Sequence, residues 1–154
     1  MMMRKRLGES LLEAGLINAE QLNHALTLKT QKFHLEKLGR ILVHLNYIGE
    51  DTLIEFLAKQ HNARGINLLK ALVNEEAVST IPKNIAEKYQ AIPIAFTNDR
   101  VKRLIVAMTN PSNLETIDNL TFLSGHCIEP VYAREEDIRW AIQYYYYYNK
   151  RQVS

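Results

Sequence analysis

Over the first sixty residues the apolar positions recur at three- and four-residue spacing, the period of helices. Leu7, Leu11 and Ala14 share one helical face, and Leu38, Leu42 and Leu45 share another. Gly15 follows the first of these helices, where the backbone usually turns left-handed, and Asn46 takes that place after the second. Asn18 with Gln21 three residues on reads as a capping box, opening a helix that buries Leu22, Ala25 and Leu26. Glu50 and Asp51, just after Gly49, favour a further helix start through the dipole, with Leu53, Phe56 and Leu57 as its inner face.

These elements form a repeat. Arg6-Leu-Gly returns as Lys37-Leu-Gly, and every landmark lies 31 residues after its counterpart: Leu7 and Leu38, Gly8 and Gly39, Leu11 and Leu42, Leu12 and Val43, Ile17 and Ile48. Two units make a duplication, not a solenoid. From about residue 76 the pattern changes. Pro82 opens a short helix through Ile85, Ala86 and Tyr89. Ala91–Phe96 and Leu104–Met108 are compact apolar runs separated by Thr97-Asn98-Asp99, and read as two strands. Leu114, Ile117, Leu120 and Leu123 give a helical period that Gly125 stops. Ile128–Tyr132 reads as a third strand, with Pro130 marking it as an edge, and residues 135–148 as a last helix with Ile138 and Ile142 facing in. The expected fold is α+β: a helical subdomain of two helix-turn-helix units over residues 1–75, then a small α/β layer over residues 76–154 with a mostly antiparallel sheet of about three strands.

Composition narrows the function. The chain has 154 residues, 47% of them hydrophobic and 23% charged, as in a globular protein. No apolar run approaches the ~18 residues of a membrane span, and no apolar stretch follows the basic start as a secretory signal requires. One cysteine builds no disulfide framework, so a cytoplasmic setting is expected, and Cys127 itself reads as a small buried apolar residue. The net charge of +2 rests on Arg4, Lys5 and Arg6. The near-neutral remainder argues against a DNA-binding helix-turn-helix protein, and no nucleic-acid partner is expected. None of the six glycines is followed by lysine, which excludes a P-loop and with it an ATPase site in this polypeptide.

Other chemistry is sparse. The five histidines have no metal-ligand spacing, no nucleophile constellation appears, and no cofactor is called for. Glu135, Glu136 and Asp137 open the last helix, where negative charge stabilises the dipole. The five tyrosines Tyr144–Tyr148 cover every side of a helix and cannot all be buried. They form either an interface or an exposed helix end.

The duplicated [R/K]-L-G unit resembles the N-terminal domain of the type II secretion and type IV pilus assembly ATPases. The second half keeps that order, with Ile-Pro at 81–82, Ala-Glu-Lys-Tyr at 86–89, Ile-Pro-Ile at 92–94, Val-Ala-Met at 106–108 and Ile-Glu-Pro-Val at 128–131. The resemblance implies a non-catalytic regulatory or docking domain. It also implies a cytoplasmic location, peripheral at the inner membrane through a protein partner, either a secretion or pilus inner-membrane platform or an ATPase protein. Some members of the family bind cyclic di-GMP through the duplicated unit. Carried over by position, the ligand-binding residues are Arg6, Leu7, Gly8, Leu11, Leu12, Gly15, Leu16 and Ile17 in the first copy. In the second they are Lys37, Leu38, Gly39, Leu42, Val43, Ile48 and Gln60. Lys37 stands where the motif has arginine, Lys29 where it has glutamine, and Asn110 where an aspartate often precedes the proline. Residues 30–36 make a linker longer than the family's usual spacing. A protein–protein adaptor without nucleotide binding is the alternative.

Overall fold

A computed structural model describes residues 6–148 of the chain, so Arg4 and Lys5 lie outside the described residues. Packing separates two compact units, one up to Leu53 and one from Ile54 onward. The first contains α1 (Leu7–Glu13), α2 (Ala19–Gln31), α3 (Leu38–His44) and the opening of α4 (Glu50–Lys59). Its turns follow the local chemistry. Gly15 has φ +74° and Asn46 φ +61°, the left-handed region that glycine and asparagine tolerate best. Asn18 Oδ1 accepts from the Gln21 amide at 2.8 Å and Gln21 Oε1 from the Asn18 amide at 2.9 Å, a reciprocal cap on α2. Leu11, Ile17, Ala25, Leu42, Ile48 and Leu53 form its buried interior. Leu26, expected inside, is 42% exposed, because α2 is nearly twice as long as the seven-residue helices beside it and only Ala25 along it is fully covered.

The second unit begins within α4, where Ile54 and Ala58 are buried and Phe56 and Leu57 only half-buried. Gly65 passes so close to this helix that an added Cβ would lie 2.8 Å from Ile54 Cγ2, and Leu68 enters the core. The rest is α5 (Glu75–Val78), α6 (Lys83–Tyr89), β1 (Ala91–Phe96), β2 (Leu104–Met108), α7 (Leu114–Ser124), β3 (Ile128–Tyr132) and α8 (Glu135–Gln143), which continues into a π-helical turn, Tyr144–Tyr148. The fold is α+β, as expected. The sheet order is β1-β2-β3. β1 and β2 pair antiparallel across the short turn, whereas β2 and β3 pair parallel because α7 carries the chain back to the starting end. Pro130 lies on an edge strand as its missing N–H requires, and Pro93 lies on the opposite edge; both are in register with Val106.

Strand alternation builds two cores. Ile92, Ile94, Ala107 and Val131 face α8, meeting Ile138, Ala141 and Ile142. Ala91, Leu104, Val106 and Met108 face the other way, towards Leu120 of α7 and Ile81. β2, covered on both sides, is correspondingly apolar at every position.

Two expectations need correction or refinement. Cys127 is exposed: it precedes β3 in the turn after α7, where its carbonyl accepts from the Leu104 amide at 2.8 Å but its side chain meets no core. The tyrosine run divides as its π winding dictates. Tyr146 is buried and its hydroxyl donates to the carbonyls of Ile81 at 2.8 Å and Val78 at 3.1 Å. Tyr144 and Tyr147 are 42% and 47% exposed, and Tyr144 stacks on Trp140 with ring centroids 5.2 Å apart. The Tyr148 side chain lies outside the described residues.

Candidate functional site

The duplication is visible atom by atom in the backbone. Arg6 is the N-cap of α1 at φ −67°, ψ 149°, and Lys37 is the N-cap of α3 at φ −70°, ψ 143°. The Ser10 amide donates to the Arg6 carbonyl, and the Ile41 amide to the Lys37 carbonyl. At the far end the Leu16 amide donates to the Leu11 carbonyl at 3.1 Å, and the Tyr47 amide to the Leu42 carbonyl at 3.0 Å. Each copy is therefore one extended cap, two helical turns and one left-handed exit.

The two copies also lock into each other. A Cβ on Gly8 would lie 3.1 Å from Leu38 Cδ2 and 2.6 Å from Leu22 Cδ1. A Cβ on Gly39 would lie 3.5 Å from Leu7 Cδ2 and 3.0 Å from Leu53 Cδ2. Leu7 of one copy thus sits over the glycine of the other, and Leu38 returns the contact. Both glycines are buried, and their missing side chains are what allow α1 and α3 to approach.

The carried-over residues separate by exposure. Leu11, Ile17, Leu42 and Ile48 are buried and hold the helices together. Leu7, Leu38, Leu16 and Val43 are half-buried. Arg6, Leu12, Gly15, Lys37 and Gln60 are exposed, with Leu12 an apolar side chain 38% open to solvent. The Arg6 guanidinium makes no ion pair among the described residues, so its planar fork is available to an anion or a base edge. Gln60 follows α4 and belongs to the second unit.

Three features escaped the sequence reading. Tyr47 holds in the second copy the place of Leu16, which the 31-residue spacing alone identifies; its hydroxyl is 2.6 Å from His24 Nδ1 on α2. Lys29 donates through Nζ to the carbonyls of Glu36 and of His34, so the residue in place of the motif's glutamine clamps the long linker. No local pattern announces either contact. Beside the linker, Leu28, Phe33, Glu36, Ile41, His44 and Leu45 enclose a groove of about 340 Å³.

In the second unit, His61 stacks on Tyr132 with centroids 5.5 Å apart, and Ser112 Oγ approaches His61 Nδ1 at 3.4 Å. Burial pushes the Tyr132 phenol up to about 12, with the Glu136 carboxylate adding to it. Burial raises Tyr146 as well. Both phenols stay neutral at ordinary pH and serve packing. Among the described residues no group of three histidine, cysteine, aspartate or glutamate side chains could hold a metal ion. No helix among them is long and apolar enough to cross a membrane.

Comparison with known proteins extends over both units. The MshEN domain family matches residues 61–152. The type IV pilus assembly ATPase PilB of Myxococcus xanthus is 40% identical over 144 residues, 94% of this chain and 25% of PilB. PilB of Thermus thermophilus is 25% identical over 145 residues, 92% of this chain and 16% of its own length. The chain therefore spans about a quarter or less of these relatives. Among solved structures, that of MshE with cdg superposes with a TM-score of 0.57 and 31% identity, covering 93% of this chain and 100% of that one. The N-terminal domain of XpsE shares the fold, with a TM-score of 0.51 and 17% identity over 92% of this chain and 97% of that one.

Proposed function

This chain belongs to the MshEN domain family, the domain type of the N-terminal regions of type II secretion and type IV pilus ATPases, and on that premise we propose that it is a regulatory module binding cyclic di-GMP through its two repeated turns. The observation that carries the reading is the interlocked duplication: Arg6 and Lys37 cap α1 and α3 in one backbone conformation, while Leu7 and Leu38 cross over the opposite glycines. A ligand with two guanines and two phosphates is two-fold symmetric, and a pair of equivalent turns offers it two equivalent half-sites. The relation to MshE, solved with cdg, supports the same ligand class.

The half-sites are not chemically equal. The Arg6 guanidinium matches the O6/N7 edge of guanine with two parallel donors. Lys37 supplies a point charge suited to phosphate but lacks the planar fork. Leu12, Leu16 and Val43 offer apolar surface for base and ribose. The remaining positions set the backbone that presents these groups. This chain has no P-loop, so its part in a pilus or secretion motor is to report ligand state to a protein partner, an inner-membrane platform or the motor itself. It would act in the cytoplasm, held at the inner membrane by that protein contact.

Isothermal titration with cyclic di-GMP tests the ligand. Saturable heat with micromolar affinity is expected. Arg6→Ala should weaken it at least ~10-fold, since a good bidentate base contact contributes about 1–3 kcal/mol. No heat at high-micromolar ligand overturns the proposal and leaves a protein–protein adaptor.

A further inference from the structure

The outward face of α7 carries large apolar side chains that the described residues leave largely uncovered. Phe122 is 87% exposed and Leu114 73% exposed, at i and i+8 on one helical stripe. Between them the same face carries Glu115 and Asp118, both exposed and neither paired among the described residues. The helix contains no basic residue. The helix is also held at both ends and along its back. Asn113 caps the start through the Thr116 amide at 3.2 Å, Gly125 ends the helix at φ +73°, and on the opposite side Thr116 is buried and Leu120 enters the sheet core. A frayed or mobile helix would explain exposed apolar side chains; one anchored at both ends and along its back does not.

The charge decides what covers this face. Anionic lipid surfaces and nucleic acid both repel Glu115 and Asp118. A protein segment with lysine or arginine between two apolar side chains satisfies both the apolar ends and the acidic middle, with its anchors spaced about 12 Å, eight residues at ~1.5 Å rise. We infer that the outward face of α7 is a docking surface for a basic amphipathic segment of a partner protein, gripped at Leu114 and Phe122 and steered by Glu115 and Asp118. This surface stands on α7 alone and does not depend on cyclic di-GMP binding.

The test places a photo-crosslinking benzoylphenylalanine at position 122 of the full chain in cells and maps the captured peptide by mass spectrometry. The expected result is a protein segment carrying lysine or arginine beside apolar residues. Its yield should fall about tenfold in Asp118→Lys, because like-charge juxtaposition at an interface costs several kcal/mol and tenfold is 1.4 kcal/mol. The melting temperature of Asp118→Lys should equal the parent's, which separates lost docking from lost folding. No crosslink at position 122, a captured lipid or nucleic acid, a captured segment without basic residues, or a yield indifferent to Asp118→Lys overturns the inference.

Discussion

The two copies of the repeat are the same backbone carrying different side chains. Their caps differ by a few degrees, their exits are both left-handed, and their glycines receive reciprocal leucines. Yet Arg6 faces Lys37, Gly15 faces Asn46 and Leu16 faces Tyr47 in the equivalence. The lesson is that the duplication is kept where α1 and α3 must interlock and relaxed at positions that are exposed or only half-buried. Packing alone accounts for the first group. The second group is where the ligand reading places its asymmetry.

The largest effect should come from breaking the interlock. Gly8→Val forces atoms into a space where even a Cβ lies 2.6 Å from Leu22 Cδ1. Overpacking of this kind costs typically about 1–3 kcal/mol, and the middle of that range is expected because the nearest atoms are the ends of leucine side chains that can shift. Gly39→Val meets its nearest atom at 3.0 Å and should cost less. Urea denaturation of the two variants checks the order; equal or reversed losses would show that the copies are not packed as described.

A smaller effect sharpens the comparison at the exits. Gly15 has open space around it, so Gly15→Ala carries only the backbone penalty of a left-handed residue, about 1 kcal/mol. Asn46→Gly, which makes the second exit like the first, should be neutral or slightly stabilising. Thermal melts of both variants measure the pair. The smallest effect belongs to Tyr47→Leu, which converts the second copy to the first at the position of Leu16 and removes the hydrogen bond to His24. A surface-side change of this kind should alter stability by under about 0.5 kcal/mol in the same melts. A larger loss would make the Tyr47–His24 contact a structural tie.

Much of this was legible in the chain. The strands Ala91–Phe96, Leu104–Met108 and Ile128–Tyr132 fall where β-branched runs end at turn residues, and α7 ends at Gly125 because only a left-handed residue closes it there. The repeat spacing gave each half-site its counterpart. What local patterns carry poorly is long-range choice. α5 is a single turn of four residues, too short for a period to register. The parallel pairing of β2 with β3 depends on which way α7 returns the chain. Leu26 is exposed because its neighbours are short, and Cys127 because it falls one residue outside a strand; neither reason is written at the residue itself. For the candidate site, the positions of Arg6 and Lys37 followed from the motif, whereas the clamp of Lys29 on the linker depends on contacts five and seven residues away.

The most direct test of two unequal half-sites is one calorimetric series with cyclic di-GMP on the parent, Arg6→Ala, Lys37→Ala and Lys37→Arg. The account predicts one two-fold ligand per chain, a loss of at least ~10-fold for Arg6→Ala, a lesser loss for Lys37→Ala, and tighter binding for Lys37→Arg as the second guanidinium fork is restored. Equal affinity in all four proteins, or no binding by the parent at high-micromolar ligand, would contradict it.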